Sequence, residues 1–67
     1  MNSVVEKAAI EAISEVGEIG TRLLAGALRS SVRDARGVIL SLKRGGQIES
    51  VRRKVRSRPV IHYRMAA

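Results

Sequence analysis

Cysteine is missing from this 67-residue chain, and with it go disulfides, thiol nucleophiles and zinc fingers. Trp and Phe are missing too, and one Tyr is the whole aromatic complement, so any core must be built from Val, Ile, Leu and Ala. Such a core is small, near the lower limit at which one apolar cluster holds a chain folded. Added stability from a dimer partner or a bound ligand is therefore expected. Few aromatics also means few stacking platforms for unpaired bases, which makes RNA a lesser candidate. No apolar run reaches the length of a membrane span or a signal-peptide core, so no membrane partner is expected. Groups for catalysis are equally scarce. His62 is the only histidine, in a stretch that reads as a strand, where a surface or DNA-edge position suits it better than the role of a general base. There is no phosphate-cradling Gly loop, no metal-ligand spacing and no nucleophile beside a base. The expectation is a protein that is not an enzyme, with no metal, no cofactor and no evident small-molecule ligand.

What the chain has is positive charge, unevenly spread. The net charge is +7. Residues 1–20 carry Glu6, Glu11, Glu15 and Glu18 against Lys7, a balance of −3, whereas residues 21–67 carry 12 Lys and Arg against Asp34 and Glu49, a balance of +10. A generally basic soluble protein would not need that separation. It points to a polyanion at one end and something else at the other, with nucleic acid as the leading partner. With no membrane or signal run, a cytoplasmic, nucleoid-associated protein is the corresponding expectation.

The stretch Ser31–Gly46 carries the most local information. Wound at 3.6 residues per turn, it gathers Val32, Ala35, Val38, Ile39 and Leu42 on one arc. Arg33, Asp34, Arg36, Gly37, Ser41 and Arg44 fall opposite. Ser31 is placed to cap the first turn, with Asp34 three residues on. Lys43 and Arg44 suit the negative C-terminal end, and Gly45-Gly46 can supply the left-handed stop. A helix over about residues 32–44 is predicted.

Upstream, Ser3 and Glu6 form a capping box before a helix over about residues 4–16. Val5, Ala9, Ala12, Ile13 and Val16 share its apolar face, and Lys7, Glu11 and Glu15 its solvent side. Phosphate would repel that acidic side, so this helix should point away from DNA. It either packs only on the core or also supplies a homodimer contact through Val4 and Ile10. Gly17 and Gly20 bracket a break, after which Thr21 can cap a short helix over about residues 22–28 that buries Leu24, Ala25 and Leu28. Arg29-Ser30-Ser31 is then a tight turn between two short helices, the second basic on its free side, which is the helix-turn-helix arrangement.

After Gly46 the periodicity changes. Ile61, Tyr63 and Met65 alternate with His62 and Arg64 as in a half-buried strand, Val51, Arg53 and Val55 also alternate, and Arg56-Ser57-Arg58-Pro59 reads as a turn between them. A hairpin over about residues 49–65 is predicted. Ile48, Val51 and Val55 also fit a helix, so a helical Glu49–Arg56 remains the alternative. The predicted class is mainly α with a C-terminal β-hairpin (α+β), in one domain over residues 1–67.

Residues 21–65 resemble the small winged helix-turn-helix DNA-binding proteins of bacteria and phages. The likeness is to short pilus-operon regulators of the FaeA-like type and more distantly to the ArsR and MarR families. It rests on Leu24-Ala25 and Leu28, then Ala35, Ile39 and Leu42, then Gly46 and Ile48, and finally Arg58-Pro59-Val60 with Tyr63 and Arg64. Those families usually place a Gly and then an apolar residue in the turn; this chain has Arg29 and Ser30 there. The resemblance implies a recognition helix in the major groove and a basic wing on phosphates or the minor groove, in a prokaryotic protein of phage or mobile-element origin.

The residues themselves suggest the same surface. Base edges would meet Arg33, Asp34, Arg36 and Gly37, and either Arg could form the bidentate contact to guanine. Asp34 could accept from cytosine N4, complete the cap or pair with an Arg. Gly37 within a helix costs on the order of 1 kcal/mol against Ala, tolerated either for close approach of DNA or for packing on the core. Leu40 could touch a thymine methyl, or be an incidental exposed leucine. Arg22 and Arg29 would hold the backbone beside the first short helix, with Ser31, Lys43 and Arg44 at the ends of the second. Arg52, Arg53, Lys54, Arg56 and Arg58 crowd the wing, Arg56 and Arg58 nearest its tip. Three functions follow: a sequence-specific regulator on double-stranded DNA; an architectural or recombination accessory protein of excisionase-like kind, with weak base preference; or an interaction module or inhibitor that occupies a partner protein.

Overall fold

Helices and strands follow in the order α1 (Ser3–Val16), β1 (Glu18–Gly20), α2 (Thr21–Leu28), α3 (Val32–Arg44), β2 (Ile48–Val55) and β3 (Arg58–Met65). They are taken from a computed structural model that describes residues 3–67, the side chain of Ser3 excepted. The coarse class is therefore the expected one, α+β, with three helices and an antiparallel sheet. The sheet has three strands rather than two, in the order β1-β3-β2.

Local chemistry explains where the helices stop. Each ends on a residue with positive φ, the conformation that lets orphan carbonyls find donors. Gly17 (φ 92°) donates from its N–H to the Ile13 carbonyl at 2.7 Å. Gly46 (φ 74°) donates to Lys43 at 3.0 Å while Gln47 donates to Leu42 at 3.0 Å, the two bonds of a Schellman motif. Gly45 stays right-handed, so of the glycine pair only Gly46 makes the turn. Arg29 (φ 53°) closes α2 in the same way: its N–H donates to Gly26, and that of Ser30 donates to Ala25.

The starts are less uniform. Ser31 caps α3 and accepts from the Asp34 N–H at 3.0 Å. Only this half of the capping box forms, because the Asp34 carboxylate bonds no partner among the described residues. Thr21 is not a cap. The chain enters α2 directly from a strand, so Gly20 holds the cap position without a side-chain bond and Thr21 is already helical. The Ser3 capping box lies outside the described side chains. Glu6 accepts from the Ser41 hydroxyl at 2.5 Å, tying α1 to α3.

The core is Ala9 and Ile13 of α1, Ile19 of β1, Leu24 and Ala25 of α2, Ala35, Ile39 and Leu42 of α3, and Ile48 of β2, with no polar side chain among them. Half-buried Ile10, Ala12, Leu28, Val38, Tyr63 and Met65 pack around this cluster. Each fully buried Leu or Ile contributes roughly 1.5–3 kcal/mol, so a few side chains carry most of the stability of the domain. Val16 leaves its expected face and is 59% exposed. The chain turns at Gly17, and Ile19 fills the core in its place. Ile10 is half-buried at the edge of the core, as expected, while Val4 is 76% exposed.

The hairpin settles the ambiguity over Glu49–Arg56 in favour of a strand. Val55 pairs with Arg58, leaving Arg56 (φ 53°) and Ser57 (φ 66°) as a two-residue turn with both residues left-handed, the type I′ shape that matches strand twist. Arg58 and Pro59, expected in the turn, begin β3 instead. Counting alternately from the closing pair Val55–Arg58 makes Lys54–Pro59 a non-hydrogen-bonded pair. Proline therefore costs the ladder no donor there, and β1, which pairs only with residues 62–64, does not reach it.

Candidate nucleic-acid interface

α3 buries Ala35, Ile39 and Leu42 and leaves Arg33, Asp34, Arg36, Gly37, Leu40, Ser41, Lys43 and Arg44 exposed. The exposed arc has two flanks. Ser41 faces α1 through its bond to Glu6. Arg36 and Leu40 face the sheet and line a groove with Ile61 and Tyr63 of β3. Gly37 lies between the flanks, and a Cβ built on it meets nothing within 4 Å. Packing on the core is therefore not why glycine stands there. Arg22 and Arg29 are exposed at the two ends of α2, and Ser31 is exposed as the α3 cap. The turn between α2 and α3 closes without the usual glycine because Arg29 takes the left-handed position itself, a strain of roughly 1–2 kcal/mol.

The hairpin cations divide between two faces. Cross-strand pairs put Ile48, Met65, Ser50, Tyr63, Arg52, Ile61, Lys54 and Pro59 on one face. At its base this face joins the core through Ile48, Tyr63 and Met65. Beyond the core it carries Arg52 and Lys54, and its Ile61 borders the groove beside α3. The opposite face holds Glu49, Arg64, Val51, His62, Arg53, Val60, Val55 and Arg58, joined by Glu18 and Gly20 from β1. Arg56 stands at the tip between them.

The acids are confined to the second face. Glu18 takes a bidentate contact from Arg53, Nε to Oε2 at 2.8 Å and Nη2 to Oε1 at 2.7 Å, and lies 2.9 Å from His62 Nδ1. The Arg53 hydrogen bond first, and that of His62 next, hold the Glu18 carboxyl down at about 2, against an ordinary 4.5. The same contact raises the Arg53 pKa. Arg64 donates to Glu49 at 2.6 Å. Arg52 and Lys54, by contrast, form no ion pair among the described residues. Of the wing cations named from sequence, Arg53 is therefore already held, whereas Arg52, Lys54, Arg56 and Arg58 are not. His62, expected at a surface, is half-buried, its ring over Gly20, where an added Cβ would lie 3.4 Å from Cδ2.

Sequence reasoning missed this Glu18–Arg53–His62 cluster, along with Thr21 and Tyr63, which line the groove below α3. Glu18 and Arg53 lie 35 residues apart and meet only because β1 adds to β3. No protein-family model, curated protein or solved structure matches the chain.

Proposed function

We propose that the protein binds double-stranded DNA as a small transcriptional regulator of the winged helix-turn-helix kind, with α3 in the major groove and the hairpin on phosphates or in the minor groove. The observation that carries this is the sorting of charge on the hairpin. Glu18 and Glu49 are spent on Arg53 and Arg64 on the face away from α3, while Arg52 and Lys54 stand unpaired on the face shared with the α3 groove. Unpaired like charges repel one another, and a phosphate backbone removes that cost. The order of elements supports the same assignment, since α2, a tight turn, α3 and a hairpin are the parts such proteins use. Arg33, Arg36 and Gly37 take the base-edge positions in this arrangement, and Arg22, Arg29, Lys43, Arg44 and the free hairpin cations the backbone positions. A homodimer through α1, whose outer side exposes Val4, Glu11 and Glu15, would make the site two half-sites.

The test is selection from random-sequence duplexes at near-physiological salt, followed by anisotropy on enriched and unselected pools. A motif bound orders of magnitude more tightly is the expected result, and its symmetry reports the oligomer. Uniform binding that collapses with salt replaces the regulator with an architectural protein. No binding removes DNA altogether and leaves a protein partner.

A further inference from the structure

The groove between α3 and the sheet has a volume of about 500 Å³ and is open to solvent. It is lined by Ile39, Leu40 and Ile61 together with Thr21, Arg36 and Tyr63, and no acid lines it. Neither the Thr21 nor the Tyr63 hydroxyl has a hydrogen-bond partner among the described residues. Leu40 is 50% and Ile61 52% exposed, an unusual exposure for two large aliphatics that border one groove. Arg52 and Lys54 continue from Ile61 along the same sheet face.

We infer that this groove holds one sugar–phosphate strand of the DNA, an inference that rests on the DNA-binding function proposed above. The groove separates the two elements assigned to the duplex, so a strand that passes from α3 to the hairpin has to cross it. A nucleotide backbone matches the lining. It offers anionic oxygens to the two unpartnered hydroxyl donors, with Arg36 beside them on the α3 edge, and the aliphatic edge of deoxyribose to Leu40 and Ile61. A purely apolar peptide would leave the guanidinium and both hydroxyls unsatisfied, and the bordering cations favour an anion. Tyr63 and Thr21 become backbone-positioning residues, and Leu40 meets sugar rather than a thymine methyl.

The test is an NMR titration of the full chain with a short duplex, combined with Tyr63→Phe and Thr21→Val, each of which removes a single hydroxyl or its equivalent and keeps the shape. The Leu40 and Ile61 methyls are expected to show intermolecular contacts to deoxyribose protons. Each substitution should lower affinity roughly three- to tenfold, equally for every sequence, as loss of one hydrogen bond to phosphate does. Methyl contacts to base protons, or unchanged affinity in both variants while Arg36→Ala weakens binding, would overturn the groove assignment and leave DNA binding through α3 intact. If the α3 resonances themselves do not move with duplex, DNA binding fails and the groove assignment falls with it. Circular dichroism melts of both variants guard against misfolding.

Discussion

Glycine 37 is a residue whose cost is known and whose structural need is absent. It lies inside α3, exposed, with open space where a Cβ would stand. Ala at that position adds helix propensity of about 1 kcal/mol and meets no neighbour. Gly37→Ala is therefore expected to raise the urea midpoint while lowering DNA affinity, because in the proposed binding mode the bare backbone is where the duplex approaches most closely. A variant more stable and equally good at binding would show that nothing approaches Gly37. The left-handed residues carry a similar lesson. Arg29, Arg56 and Ser57 are the only non-glycine residues with positive φ among those described, and all lie in turns assigned to the DNA surface. Such strain persists where the surroundings enforce it, and it gathers at functional positions. The left-handed state of Arg29 was not legible from sequence, since nothing local distinguishes it from an ordinary turn Arg; the stop at Gly45-Gly46 was, because glycine is the usual residue for that geometry, though not which of the two makes the turn.

At the level of elements, the hairpin turn offers a direct check. A type I′ turn favours Asn-Gly, and Arg56-Ser57 supplies neither residue. Arg56→Asn with Ser57→Gly should raise the thermal midpoint by relieving two strained residues, and should weaken DNA binding through the lost tip cation. α3 and β3 were readable because their periodicities, 3.6 and 2, persist over enough residues to be counted, whereas β2 also fitted a helix and was favoured as a strand only through the turn and strand that follow it. β1 was not readable. Three residues that follow one glycine and end on another show no period, and only pairing with β3 makes them a strand. Once β1 is absent from the reading, Glu18 cannot be placed beside Arg53 and His62, so the cluster vanishes as well. Its signature is measurable. A carboxyl pKa of about 2 in the fold against an ordinary 4.5 stabilises the protein fully above 4.5, and that contribution is lost as pH falls from there toward 2. Wild type should lose unfolding midpoint across this window. Glu18→Gln should start lower at neutral pH and converge with wild type as the window is crossed; parallel curves would mean the contact is absent in solution.

For the whole molecule, the decisive quantity is how charge is distributed rather than how much there is. The +7 total and its crowding into residues 21–67 were plain in the sequence, but they set only Arg56 and Arg58 apart, at the tip, and did not separate Arg53 from Arg52 and Lys54. The folded chain distinguishes them by face. Arg52 and Lys54 lie free on the side of the α3 groove, and Arg53, their neighbour in sequence, points to the other side and is held by Glu18. Counterion release converts this into slopes. Each cation that neutralises a phosphate contributes about 0.9 to the fall of log affinity with log salt. Arg52→Ala and Lys54→Ala should each flatten that line by about this amount, whatever the DNA sequence. Arg53→Ala should leave the slope nearly unchanged, because its charge is already matched, and should instead lower stability by stranding Glu18 beside His62. Glu18→Gln tests the same logic from the other side: with Arg53 released, affinity at low salt should rise and the slope should steepen by at most one such increment. Equal slopes for Arg52→Ala and Arg53→Ala would mean the two faces of the hairpin do not differ toward DNA, and the duplex would then have to lie across the tip instead of along the α3 side.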